Sequence, residues 1–557
     1  MARFIIALLA AASALITTAH AAQYEPTLLP ERSLRYRTSF GLFEDDFEGF
    51  IRPRYATRWD GARLASHLTQ LTPQGEAALG YGRGATDAWS WSALAGGGYF
   101  YNESYRSGLN AFTAGRESST AQTLRMQSRI DDVPATNSAA HAALGLSRNT
   151  DSGAFGFGLQ ARWMSLVTRS LETAPTLFTL PSPETTFGSE RTIVSDLDTG
   201  ALFEETSFRR SPQTDRRSLR AALVGGYASR PSDRGWGWAL DLLAGIHQQY
   251  YTVDFESRDT AFNTSGESVL TYKTNTQADG LSPLAGGAVT LVRGGPRPFW
   301  IDLGGEVETG YSLSGRRSQT TANREVFLTT GGASRSYSLR ETRDDIQDGT
   351  LGKRELVTIG IRQSLGPDPL LQLGWGLHAS WQRERNELSL RSVYNVSESL
   401  DETGAGELSQ LTRAEARGES LQHAETMLQV IEATLPLALV IRSASDPALE
   451  WRLGSELRYR NEWVRERTQT DSVLLPTGFR VDSAGASSPV RYGDATLPSG
   501  GQANDRTITV NTAVRAGVGY WFTSTAKVDA MLSAASTGDG FLDLDDRSIG
   551  LSALLAF

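Results

Sequence analysis

The chain has 557 residues, 39% of them hydrophobic and 21% charged, with 55 Gly, no Cys and a net charge of −9. The absence of cysteine excludes a disulfide scaffold and a Cys-ligated metal site, and the negative charge gives no electrostatic reason to expect nucleic acid. At about 150 residues per domain the length suggests several soluble domains. The pattern along the chain overrides that expectation. Lysine occurs only as Lys273, Lys353 and Lys527 among 54 basic residues, so nearly all positive charge sits on planar, permanently ionised guanidinium groups.

At the start, Arg3 precedes an apolar stretch from Phe4 to about Ile16, and small residues follow as far as Ala19-His20-Ala21. A positive start, a short apolar run and an A-x-A site predict a secretory signal peptide at 1–21, cleaved after Ala21. A cysteine-free chain suits passage through an oxidising compartment. No later apolar run approaches the roughly 18 residues of a membrane helix.

After a periplasmic N-terminal segment at 22–32, apolar residues recur at every second position, which puts them on one face of a strand. In chain order this predicts strands at 33–43, 74–83, 88–103, 140–148, 153–169, 217–229, 235–256, 281–293, 297–316, 350–365, 370–391, 424–443, 448–469, 506–522, 526–536 and 546–557. The first is read from Leu34, Tyr36, Thr38, Phe40 and Leu42. If Asp45 to Thr72 folds into the lumen instead, the count falls from sixteen to fourteen. In the strand at 235–256, Trp236, Trp238, Leu240, Leu242, Ala244 and Ile246 share one face, while Asp241, Gly245, His247 and Gln249 share the other. At 448–469, Trp451, Leu453, Leu457 and Tyr459 oppose Glu450, Arg452, Glu456 and Arg458.

Connection lengths separate a membrane barrel from a soluble sandwich. Tight turns such as 149–152 and 444–447 alternate with polar stretches at 104–139, 170–216, 257–280, 317–349, 392–423 and 470–505. Short turns on one side and long external loops on the other are the habit of an outer-membrane barrel. In hydrocarbon every backbone polar group must be paired, so such a sheet has to close on itself. The expected fold is therefore all-β: a single transmembrane antiparallel up-and-down barrel over 33–557, with about sixteen strands. Composition within Glu407 to Glu419 favours a short helix in its loop.

The last strand runs Arg547-Ser548-Ile549-Gly550-Leu551-Ser552-Ala553-Leu554-Leu555-Ala556-Phe557 and ends on an aromatic residue. This ending resembles that of Gram-negative outer-membrane barrels, porin-like channels included. The resemblance implies that Phe557 is the assembly signal and that the barrel-assembly machinery is a partner. It also implies that the protein resides in the outer membrane, among lipids and lipopolysaccharide.

Parity along the strands turns Arg162, Asp302, Glu306, Glu308, Arg362, Arg452, Glu456, Arg458, Arg460, Glu462 and Arg515 into the lumen. These groups either filter a solute or pair with one another and brace the wall. His378-Ala379-Ser380 is similar to the His-x-Ser of outer-membrane phospholipases, but Leu373, Leu377 and Ala379 take the lipid side, which turns His378 and Ser380 inward. Asp539 to Asp546 gathers carboxylates without the spacing of a calcium loop. No phosphate loop or zinc spacing occurs, so neither a cofactor nor a metal is expected. The leading expectation is a non-enzymatic channel for hydrophilic solutes or an exported polymer. The alternatives are a structural or surface-display barrel whose external loops bind a partner and, behind that, a barrel hydrolase.

Overall fold

The computed structural model describes residues 28–29, 34–43, 45, 47–69, 74–84, 89–102, 109–116, 121–129, 135–168, 188–196, 202–229, 235–263, 266–295, 297–328, 334–365, 370–404, 407–446, 448–482, 484–491, 499–536 and 544–556. The expected signal peptide, Phe557 and most of the acidic stretch at 539–546 lie outside these residues.

Two short helices, α1 (Leu34–Thr38) and α2 (Glu48–Ile51), and a 3-10 turn at Pro53–Arg58 precede twenty strands. These are β1 (Gly61–Thr69), β2 (Gln74–Gly84), β3 (Ser90–Asn102), β4 (Leu109–Arg116), β5 (Ala121–Arg129), β6 (Ala135–Thr150) and β7 (Gly153–Thr168). There follow β8 (Gly188–Asp196), β9 (Leu202–Ser229), β10 (Trp236–Asn263), β11 (Gly266–Arg293), β12 (Phe299–Leu328), β13 (Ser334–Leu365) and β14 (Leu371–Gly404). The last six are β15 (Glu407–Arg442), β16 (Leu449–Val481), β17 (Ser487–Arg491), β18 (Ser499–Thr523), β19 (Ala526–Ser536) and β20 (Leu544–Ala556).

Sixteen of them form the wall, in the order β1-β2-β3-β6-β7-β9-β10-β11-β12-β13-β14-β15-β16-β18-β19-β20. The ladder closes where β1 pairs antiparallel with β20, from Arg63 opposite Ala556 to Thr69 opposite Gly550. Closure removes the free edges that hydrocarbon would penalise. The other four strands extend the sheet outward: β4, β5 and β8 lead onto β9, and β17 continues β16.

Alternation sets the two faces. On β10, Trp236, Trp238, Leu242 and Ile246 are exposed outward, while Asp241, His247 and Gln249 are buried inward. On β16, Trp451 and Leu453 are about half exposed, and Glu450 and Arg452 keep only 2% of their surface. From Trp236 to Ile246 the apolar run takes ten steps, about 34 Å of strand, which a tilt near 40° reduces to roughly the 25 Å of an outer-membrane apolar band.

Three expectations are corrected. Residues 33–43 are not a strand: Leu34–Thr38 is helical, and the chain from there to Trp59 lies within the barrel. The first wall strand is instead Gly61–Thr69, so the count stays at sixteen although Asp45 and Phe47 to Trp59 are lumenal. The polar stretches at 257–280, 317–349 and 392–423 are largely ladder, as extensions of β10 to β15. Glu407 to Glu419 is the start of β15 and not a helix, because its backbone pairs with β14 throughout. The buried face of these extensions carries polar residues, Asp345, Gln347 and Ser392 among them, so no apolar alternation marks them and polar strands read as loops.

Candidate functional site: a plugged, charged lumen

The described residues between Leu34 and Trp59 fill the lumen at the end where the hairpins are short, the periplasmic end in barrels of this type. Their apolar side chains form two clusters with apolar wall residues. Leu29, Phe47, Phe50, Ile51, Ala56 and Trp59 pack on Ala65, Ala78, Leu94, Ala143 and Leu554, while Leu42 and Phe43 pack on Ala438 and Val440. The wall yields room through inward glycines. A Cβ at Gly454 would collide with the Thr38 carbonyl, one at Gly156 with the Arg54 backbone, and one at Gly84 with Trp59. Backbone therefore lies directly against backbone on opposite sides of the barrel.

Polar contacts fasten the segment all the way round. Arg54 makes a two-pronged ion pair with Asp241, both bonds 2.7 Å, and Arg52 stands 3.7 Å from the same carboxylate. Both Arg54 and Asp241 are buried. The fork of Arg matches the two carboxylate oxygens, which an ammonium group could not do. Across the lumen, Arg35 reaches Glu450 at 3.7 Å and Gln372 at 3.3 Å. Arg515 donates to the Arg37 carbonyl at 2.6 Å and stacks over the Phe40 ring; Arg362 donates to the Gly41 carbonyl at 3.0 Å. Gln160 donates to the Ile51 carbonyl at 2.6 Å and accepts from the Leu28 N–H. Phe40 itself holds a positive φ of 51°, a strained turn for a residue with a side chain, clamped from above by Arg515.

Above this plug the lumen is charged. Asp302 accepts from Thr290 and faces Arg362 at 3.4 Å, and Arg362 also lies over the Trp300 ring. Glu306 is 3.8 Å from Arg354. Glu308 pairs with Arg220 at 3.0 Å and makes a short contact with His247, whose other ring nitrogen meets Gln249. On the far wall Arg458 pairs with Glu432 at 2.6 Å and Arg460 with Glu462 at 2.7 Å. Lower down, Arg452 pairs with Asp529 and with Glu450, and Lys527 completes the group at 3.2 Å from Asp529. Arg162 and Glu456 also face inward, partly exposed, and neither belongs to an ion pair among the described residues. His378 is buried beside Gly360 on the inner face, and Ser380 follows it there.

A reading by strand parity places Arg35 and Phe40 in a wall strand at 33–43, which the structure lacks, and gives Arg52 and Arg54 no role. Their only signal is local: Arg52-Pro53-Arg54-Tyr55 interrupts the alternation with a proline, between two apolar stretches.

A closed ladder that is apolar outside and charged inside spans a membrane with a wet interior. The chain is a closed antiparallel β-barrel of the membrane-spanning kind. No protein-family profile matches the sequence, and no curated protein resembles it. Among solved structures it is similar to a loop-deletion mutant of OmpT, an outer membrane protein of Vibrio cholerae, at 10% identity over 89% of this chain and 98% of that one, with a TM-score of 0.25. It is also similar to the CymD monoaromatic hydrocarbon channel, at 10% identity over 95% and 99% of the two chains with a TM-score of 0.29. A third is the ferric-catecholate import receptor Fiu from E. coli K12, at 10% over 89% and 81% with a TM-score of 0.24. The fold assignment rests on the ladder and the apolar belt, not on these likenesses.

Proposed function

We propose that the protein is a gated channel for hydrophilic solutes, closed at its periplasmic mouth by residues 34–59. The observation that carries this reading is the way the plug is held. It is fastened by discrete polar latches, Arg54–Asp241, Arg35–Glu450, Arg515–Arg37 and Arg362–Gly41, and each of these can be exchanged for water. Apolar packing of Phe47, Phe50, Ile51 and Trp59 already seats the plug, and buried ion pairs are a weak route to further stability, so the latches suit release better than filling. Above the plug, interleaved Arg and carboxylate groups brace the wall and keep it wetted.

In this reading the belt sits in lipid, with lipopolysaccharide around outward arginines such as Arg383, Arg465 and Arg467 just above it, and Phe557 is read by the assembly machinery.

Planar-bilayer recording tests the gate. Wild-type protein is expected to be mostly closed, and Asp241→Ala, which strands Arg54, is expected to raise the open fraction at least tenfold. Equal silence from wild type and from folded Asp241→Ala contradicts the reading.

A further inference from the structure

Inward residues at one level of the wall form a row across four neighbouring strands: His141 on β6 faces Arg162 on β7, Arg162 faces Arg220 on β9, and Arg220 faces His247 on β10. Directly opposed like charges on paired strands repel one another, since their Cβ atoms stand only about 5 Å apart. Arg220 has Glu308 to balance it, at 3.0 Å. Arg162 has no carboxylate partner among the described residues, and its Nε is buried without a hydrogen bond. Arg354 and Glu306 also lie within electrostatic range of Arg220. The cluster therefore holds the three guanidinium groups of Arg162, Arg220 and Arg354 against the two carboxylates of Glu306 and Glu308.

Its position matters as much as its charge. Gln160, one inward step below Arg162, bonds to the Ile51 carbonyl and the Leu28 N–H of the plug segment. Arg162 thus stands one inward step above the wall's contact with the plug. The Arg220 side chain keeps 25% of its surface accessible there.

We propose that Arg162 and Arg220 form a binding site for a solute bearing a carboxylate or phosphate group, one inward step above the wall's contact with the plug. An anion placed between the two guanidinium groups relieves their repulsion and accepts the fork of donors that Arg162 leaves unused. The proposal rests on the channel reading for its physiological meaning, since it names the solute class, but the site itself is a binding property.

Calorimetric titration of the folded full-length protein, in detergent, with inorganic phosphate and separately with succinate tests it. Saturable binding of at least one of these anions is expected, and the stronger of the two identifies which group the site takes. Arg162→Gln is expected to weaken that binding at least tenfold, Arg162→Lys less, and the exposed outward Arg467→Gln less than twofold. Because Arg162 holds no ion pair among the described residues, Arg162→Gln is also expected to leave the temperature of heat-modified gel mobility unchanged; a marked fall would show a structural role and overturn the site. Absence of saturable binding to wild type, or equal binding by Arg162→Gln, overturns it as well. Bilayer recording of the same preparations separates the two readings. Binding with a silent bilayer removes the channel and keeps the site, whereas conduction without binding removes the site and keeps the channel.

Discussion

Arginine does most of the chemistry visible at the scale of single residues. Arg54 grips a carboxylate with two bonds, Arg515 combines a carbonyl bond with a ring face, and Arg362 meets Asp302, Gly41 and Trp300 at once. A lysine at any of these positions would keep the charge and lose the fork. Arg54→Lys is therefore expected to open the channel part of the way that Asp241→Ala does, in the same bilayer recordings. Outward positions follow the opposite rule. Leu223 is 66% exposed in the belt, so Leu223→Arg is expected to destabilise the folded barrel by about 2–4 kcal/mol, the usual cost near the midplane. Urea titration in lipid vesicles reads that loss, and an effect under 0.5 kcal/mol would place Leu223 away from the hydrocarbon.

Element by element, the barrel was legible wherever lipid lies on one side and water on the other. There the period of two assigns faces without help, as for Trp451 against Arg452 or Leu242 against Asp241. It failed where that asymmetry ends. Leu34, Tyr36, Thr38, Phe40 and Leu42 alternate, yet the segment is surrounded by wall on all sides, so every one of them is buried and the pattern carries no periodicity that separates helix from strand. Strand β1 escaped for the converse reason, since Ser66 interrupts its outward row and Arg63 and His67 sit among its inward residues. The parts of β13 to β15 beyond the belt read as loops because their buried face is itself partly polar, with Asp345, Gln347 and Ser392 on it. Hydrogen exchange distinguishes ladder from loop: amides from Ser257 to Asn263 and from Gly266 to Val269 are expected to be protected, being paired in β10 and β11, and free exchange there would contradict the extended wall.

On the scale of the whole molecule, the wall is lopsided. Strands β9 to β16 run 28 to 36 residues, several times what a membrane crossing needs, whereas β1, β2, β19 and β20 at the seam run 9 to 13. The surplus length suggested by the sequence is thus a standing sheet on one side of the mouth. The opposite end is closed by a plug of fewer than thirty residues, joined to the wall by strand β1 itself. That direct connection lets the plug move only as far as the chain between Trp59 and Gly61 allows, so opening in the proposed channel would be a local release of the latches and not an exit from the barrel.

The absence of cysteine permits the most direct test of the gate. Thr38 on the plug touches Gly517 on β18 closely enough for an introduced pair, Thr38→Cys with Gly517→Cys, to form a disulfide. Combined with Asp241→Ala, the oxidised protein is expected to be silent in planar bilayers and to conduct once a reductant is added. Equal conductance before and after reduction would show that the solute path does not pass the plug.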